Sequence, residues 1–470
     1  VVKFDVPTNV WKICAVLRNA NHEAYLVGGC VRDMLRFENP HDYDIATSAT
    51  PDEVIALFPR VVEVGKKYGT VAVMMDGEQY EVTTFRCDGN YTDGRHPDNV
   101  TFTSDLLEDL SRRDFTINAI AYDPISDKIF DPFDGLSDLL DGIIVCVGNP
   151  LDRFNEDALR ILRAIRFAAQ FDFTIDRLTD DHIFRDCRLL NNVSRERINA
   201  EFCKILMSSD AGVRVMNKYI CIRDMLGKSP DVMSICDQNN PYHCADVWTH
   251  TLCALRNAAE FGADLETRLA LFLHDTGKPE CKTTDEDGID HFYGHAVRSA
   301  AIAEEFLTGL KFSNQIKHDV VELVRNHDVH LEVDKKCIKR LLNKFGEKQT
   351  MRLLWLRYHD VFAQNKQHPE WCGRISKVLQ CIDLAKEIVA DAECFQIKDL
   401  AVNGNDLMEL FSAREGKFIG EMLNRLLNAV IEVRVDNDKT SLLIYAAQCY
   451  AADKLKEQEG ASNVETQKNR

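Results

Sequence analysis

Asp42 and Asp44 stand two apart in Asp42-Tyr43-Asp44-Ile45, and alternate residues of a strand project to one face. Two carboxylates held side by side repel unless a cation lies between them, and hard carboxylate oxygens suit Mg2+. Just upstream, Tyr25-Leu26-Val27 reads as a short buried strand, Gly28-Gly29 as a turn and Val31 to Leu35 as a helix start. Glycine lets backbone N–H groups approach an anion, and a helix N-terminus adds positive partial charge. A glycine pair alone is a common turn, and Asp-x-Asp alone a common solvated strand edge. Together in one short stretch, a phosphate cradle and a dicarboxylate cation site are the equipment for nucleotidyl transfer.

Other residues extend this chemistry. Asp109-Leu110-Ser111-Arg112-Arg113-Asp114-Phe115-Thr116-Ile117-Asn118-Ala119 sets paired guanidinium groups beside a carboxylate and an amide, donors suited to phosphate and ribose oxygens. Residues 151–170 have the spacing of one amphipathic helix, on which Asp157, Arg160 and Arg163 share a face. Such pairs are usually solvated ion pairs. Yet a carboxylate and a guanidinium one turn apart can read the amine and ring nitrogen shared by cytosine and adenine, and refuse the inverted edge of uracil or guanine. Arg166 continues the stripe, and Glu81 is a candidate third carboxylate on a neighbouring strand.

Gly-Gly-x-Val-Arg-Asp followed by Asp-Tyr-Asp-Ile-Ala-Thr resembles the signature of the DNA polymerase beta superfamily, in its class II tRNA nucleotidyltransferase and bacterial poly(A) polymerase branch. Arg-Arg-Asp-Phe-Thr-x-Asn-Ala at 112–119 and Glu-Asp-x-x-Arg at 156–160 match the same family. The resemblance implies that Asp42 and Asp44 hold Mg2+, with Glu81 and Arg86 in support. It implies that Gly28, Gly29, Arg32, Arg112, Arg113, Asp114, Asn118, Asp157, Arg160, Arg163 and Arg166 bind the nucleotide, Asp157 and Arg160 selecting the base. The partners implied are the tRNA 3′ end, CTP and ATP. Residues 86–104, rich in Gly, Asp and Asn, resemble the flexible loop that switches such enzymes to A incorporation. A bacterial poly(A) polymerase, or an enzyme adding only C or only A, remains the alternative; so does a phosphohydrolase or RNA-binding protein with an inactive head.

A second constellation follows. His250 lies in a helical stretch, His274-Asp275 ends the apolar run Leu-Ala-Leu-Phe-Leu, and His295, His327 and Asp328 come later. One buried histidine is ordinarily a satisfied core residue; several ionisable groups at the polar ends of apolar helices are harder to dismiss. The pattern resembles the HD phosphohydrolase superfamily, which implies a divalent metal, a transition metal among the candidates, on His250, His274, Asp275 and Asp328. His295 and His327 compete with Asp328 for the last position and leave room for a second ion.

These sites need an architecture. The chain has 470 residues, 45% hydrophobic and 28% charged, a globular composition too long for one core. The resemblance implies an α+β head with a small mixed sheet, then all-α neck, HD and body/tail domains. Their expected limits are 1–150, 151–235, 236–335 and 336–455, with a flexible tail over 456–470. A net charge of −18 argues against a protein that coats nucleic acid and leaves room for a local basic track. Residues 335–357, eight Lys/Arg against one Glu, are the candidate for that track toward tRNA. No apolar run is long enough to span a membrane, the N-terminal stretch lacks a signal-peptide layout, and sixteen scattered cysteines read as reduced thiols. The expectation is a cytoplasmic enzyme, monomer or homodimer, without membrane association.

Overall fold

The computed structural model describes residues 4–89, 99–219, 233–412 and 416–468. Alternating apolar segments build the first sheet from β1 (Ala24–Val27), β2 (Asp44–Thr47), β3 (Val61–Gly65), β4 (Thr70–Met75) and β5 (Glu78–Thr84). A ribbon of β6 (Arg86–Asp88) and β7 (Val100–Phe102) precedes β8 (Ala121–Asp123) and β9 (Lys128–Phe130). Across the main sheet the order is β3-β4-β5-β2-β1-β8-β9. β2 and β5 run parallel, and the other neighbours are antiparallel. In β5 the two-residue period buries Tyr80, Val82 and Thr84 and leaves Glu81 exposed.

α1 (Thr8–Asn19), α2 (Gly29–Leu35) and α3 (Pro51–Leu57) cover the sheet, with Val10, Ile13, Leu17, Val31 and Val54 packed on Leu26, Ile45, Val71 and Val82. Thr50 opens α3: its hydroxyl accepts from the Glu53 N–H, the Glu53 carboxylate answers, and Pro51 takes the first position, where no N–H is needed.

α4 (Leu106–Ser111) and α5 (Gly135–Asp141) complete the head. The helix expected over 151–170 is two helices, α6 (Pro150–Glu156) and α7 (Leu159–Phe171). Asp157 between them is extended (φ −146°, ψ 102°), and its Oδ1 accepts the Leu159 N–H at 3.1 Å. The short acidic side chain competes with the helical ladder for that N–H and starts a new helix. α8 (Arg177–Asp186), α9 (Arg195–Leu206) and α10 (Asp210–Lys218) follow. This is a mixed α+β head followed by an all-α region; beyond the head the described strands are two-residue pieces.

The chain divides into two compact units, 1–235 with 258–268 and 304–317, and 236–257 with 269–303 and 318–470. In the second, the helix Lys335–Ala363 kinks at Gly346 (φ 75°) and packs Ile338, Leu342 and Leu354 on Val378, Ile382 and Ala385 of Trp371–Ala390. Leu407, Leu426, Leu427 and Leu442 form a further core. The basic stretch 335–357 is largely neutralised: Lys335 and Lys339 pair with Glu393, Arg340 with Glu432, Arg352 with Asp319, and Arg357 with Asp328 and Asp360. The last helix, Lys439–Lys468, carries regular backbone through most of the expected flexible tail. Among the described residues, no helix is long and apolar enough to cross a membrane.

Candidate active site

The head site grows from the β1–α2 turn. Gly28 has φ 75°, and a Cβ there would meet Arg113 Nη1 at 3.1 Å and Asp44 Oδ2 at 3.7 Å. The backbone conformation favours glycine there, and the Arg113 guanidinium lies against the space a Cβ would take. Asp44 is the first residue of β2; Asp42 precedes the strand instead of sharing it. The same-strand reading is corrected, but the two still line one 730 Å3 cavity together with Glu81. The protein packed around Asp44 raises its pKa and Asp42 raises it further, against the pull of Arg113. Glu81 is raised by desolvation, by Asp44 and by Asp42. Asp44 and Glu81, both raised by burial and by acidic neighbours, together with Asp42 form the donor set a hard divalent cation relieves.

Behind this wall lies an ordered polar network. Arg32 donates to Asn118 Oδ1 at 2.8 Å and to Asp33 at 2.7 Å. Asn118 Nδ2 donates to Asp114 Oδ1 at 3.0 Å, and Arg163 pairs with Asp114 Oδ2 at 2.6 Å. Burial alone would raise the Asp114 carboxyl, but the Arg163 guanidinium and the Asn118 amide bring it down to about 2. Arg112 and Arg113 both pair with buried Asp109, at 2.7 and 3.2 Å. The Arg113 Nε is buried without a hydrogen-bond partner. Arg86 pairs with Asp88 at 3.0 Å.

Asp157 and Arg160 stay one turn apart, the Arg160 N–H donating to the Asp157 carbonyl at 3.0 Å, and each side chain has a protein partner. Asp157 Oδ2 pairs with Arg197 at 2.6 Å. Arg160 is buried, held by Glu156 at 2.5 Å and by the Arg112 and Arg153 carbonyls at 3.0 and 3.2 Å. Arg166 is buried and pairs with Glu201 at 2.5 Å. Arg197, on α9, was not among the residues singled out above. The expected switch loop begins and ends in the β6–β7 ribbon, and its residues 90–98 lie outside the described residues.

In the second unit His250, His274 and Asp275 come together, buried, as expected. Asp328 does not join them: its side chain is 58% exposed and pairs with Arg357. Asp360 approaches them instead, its Oδ1 3.0 Å from His250 Nε2 and 3.8 Å from His274 Nε2. Asp360 lies beyond the expected boundary at 335, on the kinked helix, and no sequence motif announces it. Asp275 also gathers His295 and His327. His274 is raised because the pull of Asp275 overcomes burial, whereas burial and His274 push His327 down to about 3. His243, desolvated and near Lys278, falls to about 2.

Residues 24–145 match the poly A polymerase head domain, residues 172–219 the probable RNA and SrmB-binding site of polymerase A, and residues 291–446 a tRNA nucleotidyltransferase domain 2 model. The fold and the carboxylate wall thus define a nucleotidyltransferase. The chain is 34% identical over 447 residues to a CCA-adding enzyme of Enterococcus faecalis, covering 94% of this chain and 96% of the relative. It is 52% identical over 428 residues to that of Lactococcus lactis, covering 89% and 92%. The Bacillus stearothermophilus CCA-adding enzyme in complex with CTP superposes with a TM-score of 0.68 at 27% identity, over 95% of this chain and 98% of that one. The chain belongs to the class II CCA-adding enzymes of bacteria.

Proposed function

We propose that the chain completes the 3′ end of tRNA, adding CCA from CTP and ATP without a nucleic-acid template and releasing pyrophosphate. The observation that carries this reading is the wall of Asp42, Asp44 and Glu81 beside the Gly28 turn and Arg113. Bound there, Mg2+ would neutralise charge developing as the α-phosphorus changes partners. Asp42 and Asp44 would hold it, with Glu81 supporting. The Gly28–Gly29 turn offers backbone N–H groups to phosphate, and Arg113, ion-paired with Asp109, adds positive charge beside Asp44 that favours an anion. The 3′ oxygen of the primer replaces pyrophosphate on the α-phosphorus. Asp157 and Arg160 take the base-selecting role, which asks Asp157 to leave Arg197 and Arg160 to keep its carbonyl brace.

The test is tRNA lacking CCA incubated with each NTP alone and in pairs. CTP alone should add two residues, CTP with ATP three, and UTP or GTP none. A long tail from ATP alone would make this a poly(A) polymerase; C only or A only would make it a partial enzyme.

The His/Asp cluster supports a second reading, an HD-type phosphohydrolase with a divalent metal on His250, His274, Asp275 and Asp360. Metal-dependent release of phosphate that His274→Ala removes and CCA addition survives is the expected result; no bound metal and no hydrolysis would make the cluster a structural relic.

A further inference from the structure

We infer that Arg36 and Phe171 are positioning residues for nucleotide choice: a column of rings and guanidinium groups sets the distance between the triphosphate turn and the helix that selects the base. This rests on the reading that Asp157 and Arg160 select the base. α2 starts at Gly29, directly after the Gly28 turn, and α7 starts at Leu159, two residues after Asp157. The column stands at their other ends. The rings of Phe115, Phe167, Phe171 and Phe173 follow one another with centroids 5.7, 5.5 and 5.6 Å apart. Phe115 succeeds Asp114, so the segment that pairs with Arg163 reaches the same column.

Two guanidinium groups cross from α2 and its C-terminal cap onto these rings. Arg32 Cζ lies 5.2 and 4.8 Å from the centroids of Phe167 and Phe171. Arg36 Cζ lies 4.0 and 5.7 Å from those of Phe171 and Phe173. The ring quadrupole attracts a cation over its face, most strongly away from water. Each guanidinium has a carboxylate to offset its charge, Asp33 for Arg32 at 2.7 Å and Glu38 for Arg36 at 3.0 Å. Arg36 Nη1 is buried without a hydrogen-bond partner, and the Phe171 face is the compensation a buried cation finds there. Arg163 and Arg166 also lie near Phe167, at 5.4 and 3.9 Å, but they share its helix and so do not fix its distance from α2.

Base and triphosphate belong to one ligand, so the two helix starts must keep their spacing. A nucleotide held by its phosphates at the start of α2 meets the edge-reading groups at the start of α7 only then. α7 has 13 residues and is roughly 20 Å long, so a tilt of about 3° at the column moves its start by about 1 Å. A displacement of that size far from the chemistry costs on the order of 100-fold. Hydrogen bonds to a base edge depend steeply on distance and angle, so the choice between bases suffers with the rate. Neither Arg36 nor Phe171 lines the head cavity; they act through α2 and α7.

The test compares the full chain carrying Phe171→Leu, Phe171→Tyr, Arg36→Met, Arg36→Lys or Glu38→Gln. Inorganic tripolyphosphate, as a competitive inhibitor, reads the phosphate cradle alone; the Kd of CTP reads cradle and base together. Phe171→Leu and Arg36→Met should keep the tripolyphosphate inhibition constant and the affinity for tRNA lacking CCA. They should weaken CTP about 10-fold and reduce the preference for CTP over UTP about 10-fold. Combined, they should lose no more than either alone. Phe171→Tyr and Arg36→Lys keep the ring face and the cation and should stay near wild type. So should Glu38→Gln, because the Glu38 side chain is 54% exposed. The Arg36 side chain is 21% exposed, so Arg36→Met carries the test where Phe171→Leu does not fold. Unchanged preference in these two variants, or tripolyphosphate inhibition lost in step with CTP, overturns the inference and makes the column ordinary core packing. Equal effects of Glu38→Gln and Arg36→Met place the cause in the ion pair and overturn the role of Arg36. A wild type without preference for CTP and ATP overturns the base-selection reading and this inference together; a selective wild type with equally selective variants overturns the column alone.

Discussion

Glu81 stands beside Asp44 because β2 and β5 are parallel and Ile45 lies opposite Val82. The residue before each of these partners is a carboxylate, so adjacent strands carry two acids to one edge of the head cavity. Asp42 reaches the same cavity from the preceding loop. The first prediction follows from the order of these contributions. Asp42→Ala and Asp44→Ala should each abolish C and A addition while tRNA binding persists. Glu81→Gln, which keeps shape and removes one charge, should cost less, about 10-fold in kcat, or ~1.4 kcal/mol of barrier. Single-turnover rates on tRNA lacking CCA measure this; an Asp44→Ala enzyme with more than a tenth of its rate would sink the assignment.

Asp114 gives a pH-dependent prediction. Its folded-state pKa, about 2, lies below the ordinary carboxylate value of 3.8. A depressed pKa contributes stability above the unfolded value and loses it as pH falls through the folded one. Wild type should therefore exceed Asp114→Asn by about 2 kcal/mol at neutral pH. That gap should stay level from pH 8 to about 5 and shrink below about 4, as the unfolded chain takes up its proton. Urea unfolding across that range reads it; a gap that widens on acidification would contradict the Arg163–Asp114 pair as its source.

Arg166 and Glu201 form a buried pair in the helical region after the head. Removing one partner strands the other charge away from water, so Arg166→Ala should destabilise by about 3–5 kcal/mol. Arg166→Met with Glu201→Met should recover much of the loss. Relative use of CTP, ATP, UTP and GTP should not move in either variant. A change in base choice without loss of stability would return Arg166 to the nucleotide.

The legible parts of this molecule are those fixed by local chemistry. Thr50-Pro51-Asp52-Glu53 announces a helix start because both halves of its cap lie within one turn, and the structure forms it. Gly28 was readable because only glycine suits φ 75° beside a guanidinium. His250, His274 and Asp275 come together as the resemblance implied. Asp360 was not readable, since its partnership with His250 joins residues 110 apart in sequence. Hydrophobic periodicity across Glu156-Asp157-Ala158 continues without a gap, so the break at Asp157 was hidden. The signal was present all the same: aspartate is a favoured helix-capping residue, and here it does take the Leu159 N–H.

That break shapes the last prediction. Asp157 Oδ1 starts α7 and Oδ2 holds Arg197, so the side chain has a structural task besides any contact with a base. Asp157→Ala should lose about 1 kcal/mol of stability from the cap alone. If the residue also accepts from the exocyclic amine of cytosine or adenine, kcat/KM for CTP and ATP should fall and discrimination against UTP and GTP should relax by about 1–3 kcal/mol. Asp157→Asn separates the two tasks. Its carbonyl oxygen still accepts the Leu159 N–H, but the charge that draws Arg197 is gone, and the amide offers a donor as well as an acceptor to the base. Stability should then stay close to wild type while specificity loosens and UTP gains most. Urea unfolding and kcat/KM for all four nucleotides on matched primers give the two readings. If Asp157→Asn and Asp157→Ala lower stability together and leave nucleotide preference unchanged, Asp157 is a helix cap and an anchor for Arg197, and base selection belongs to other residues.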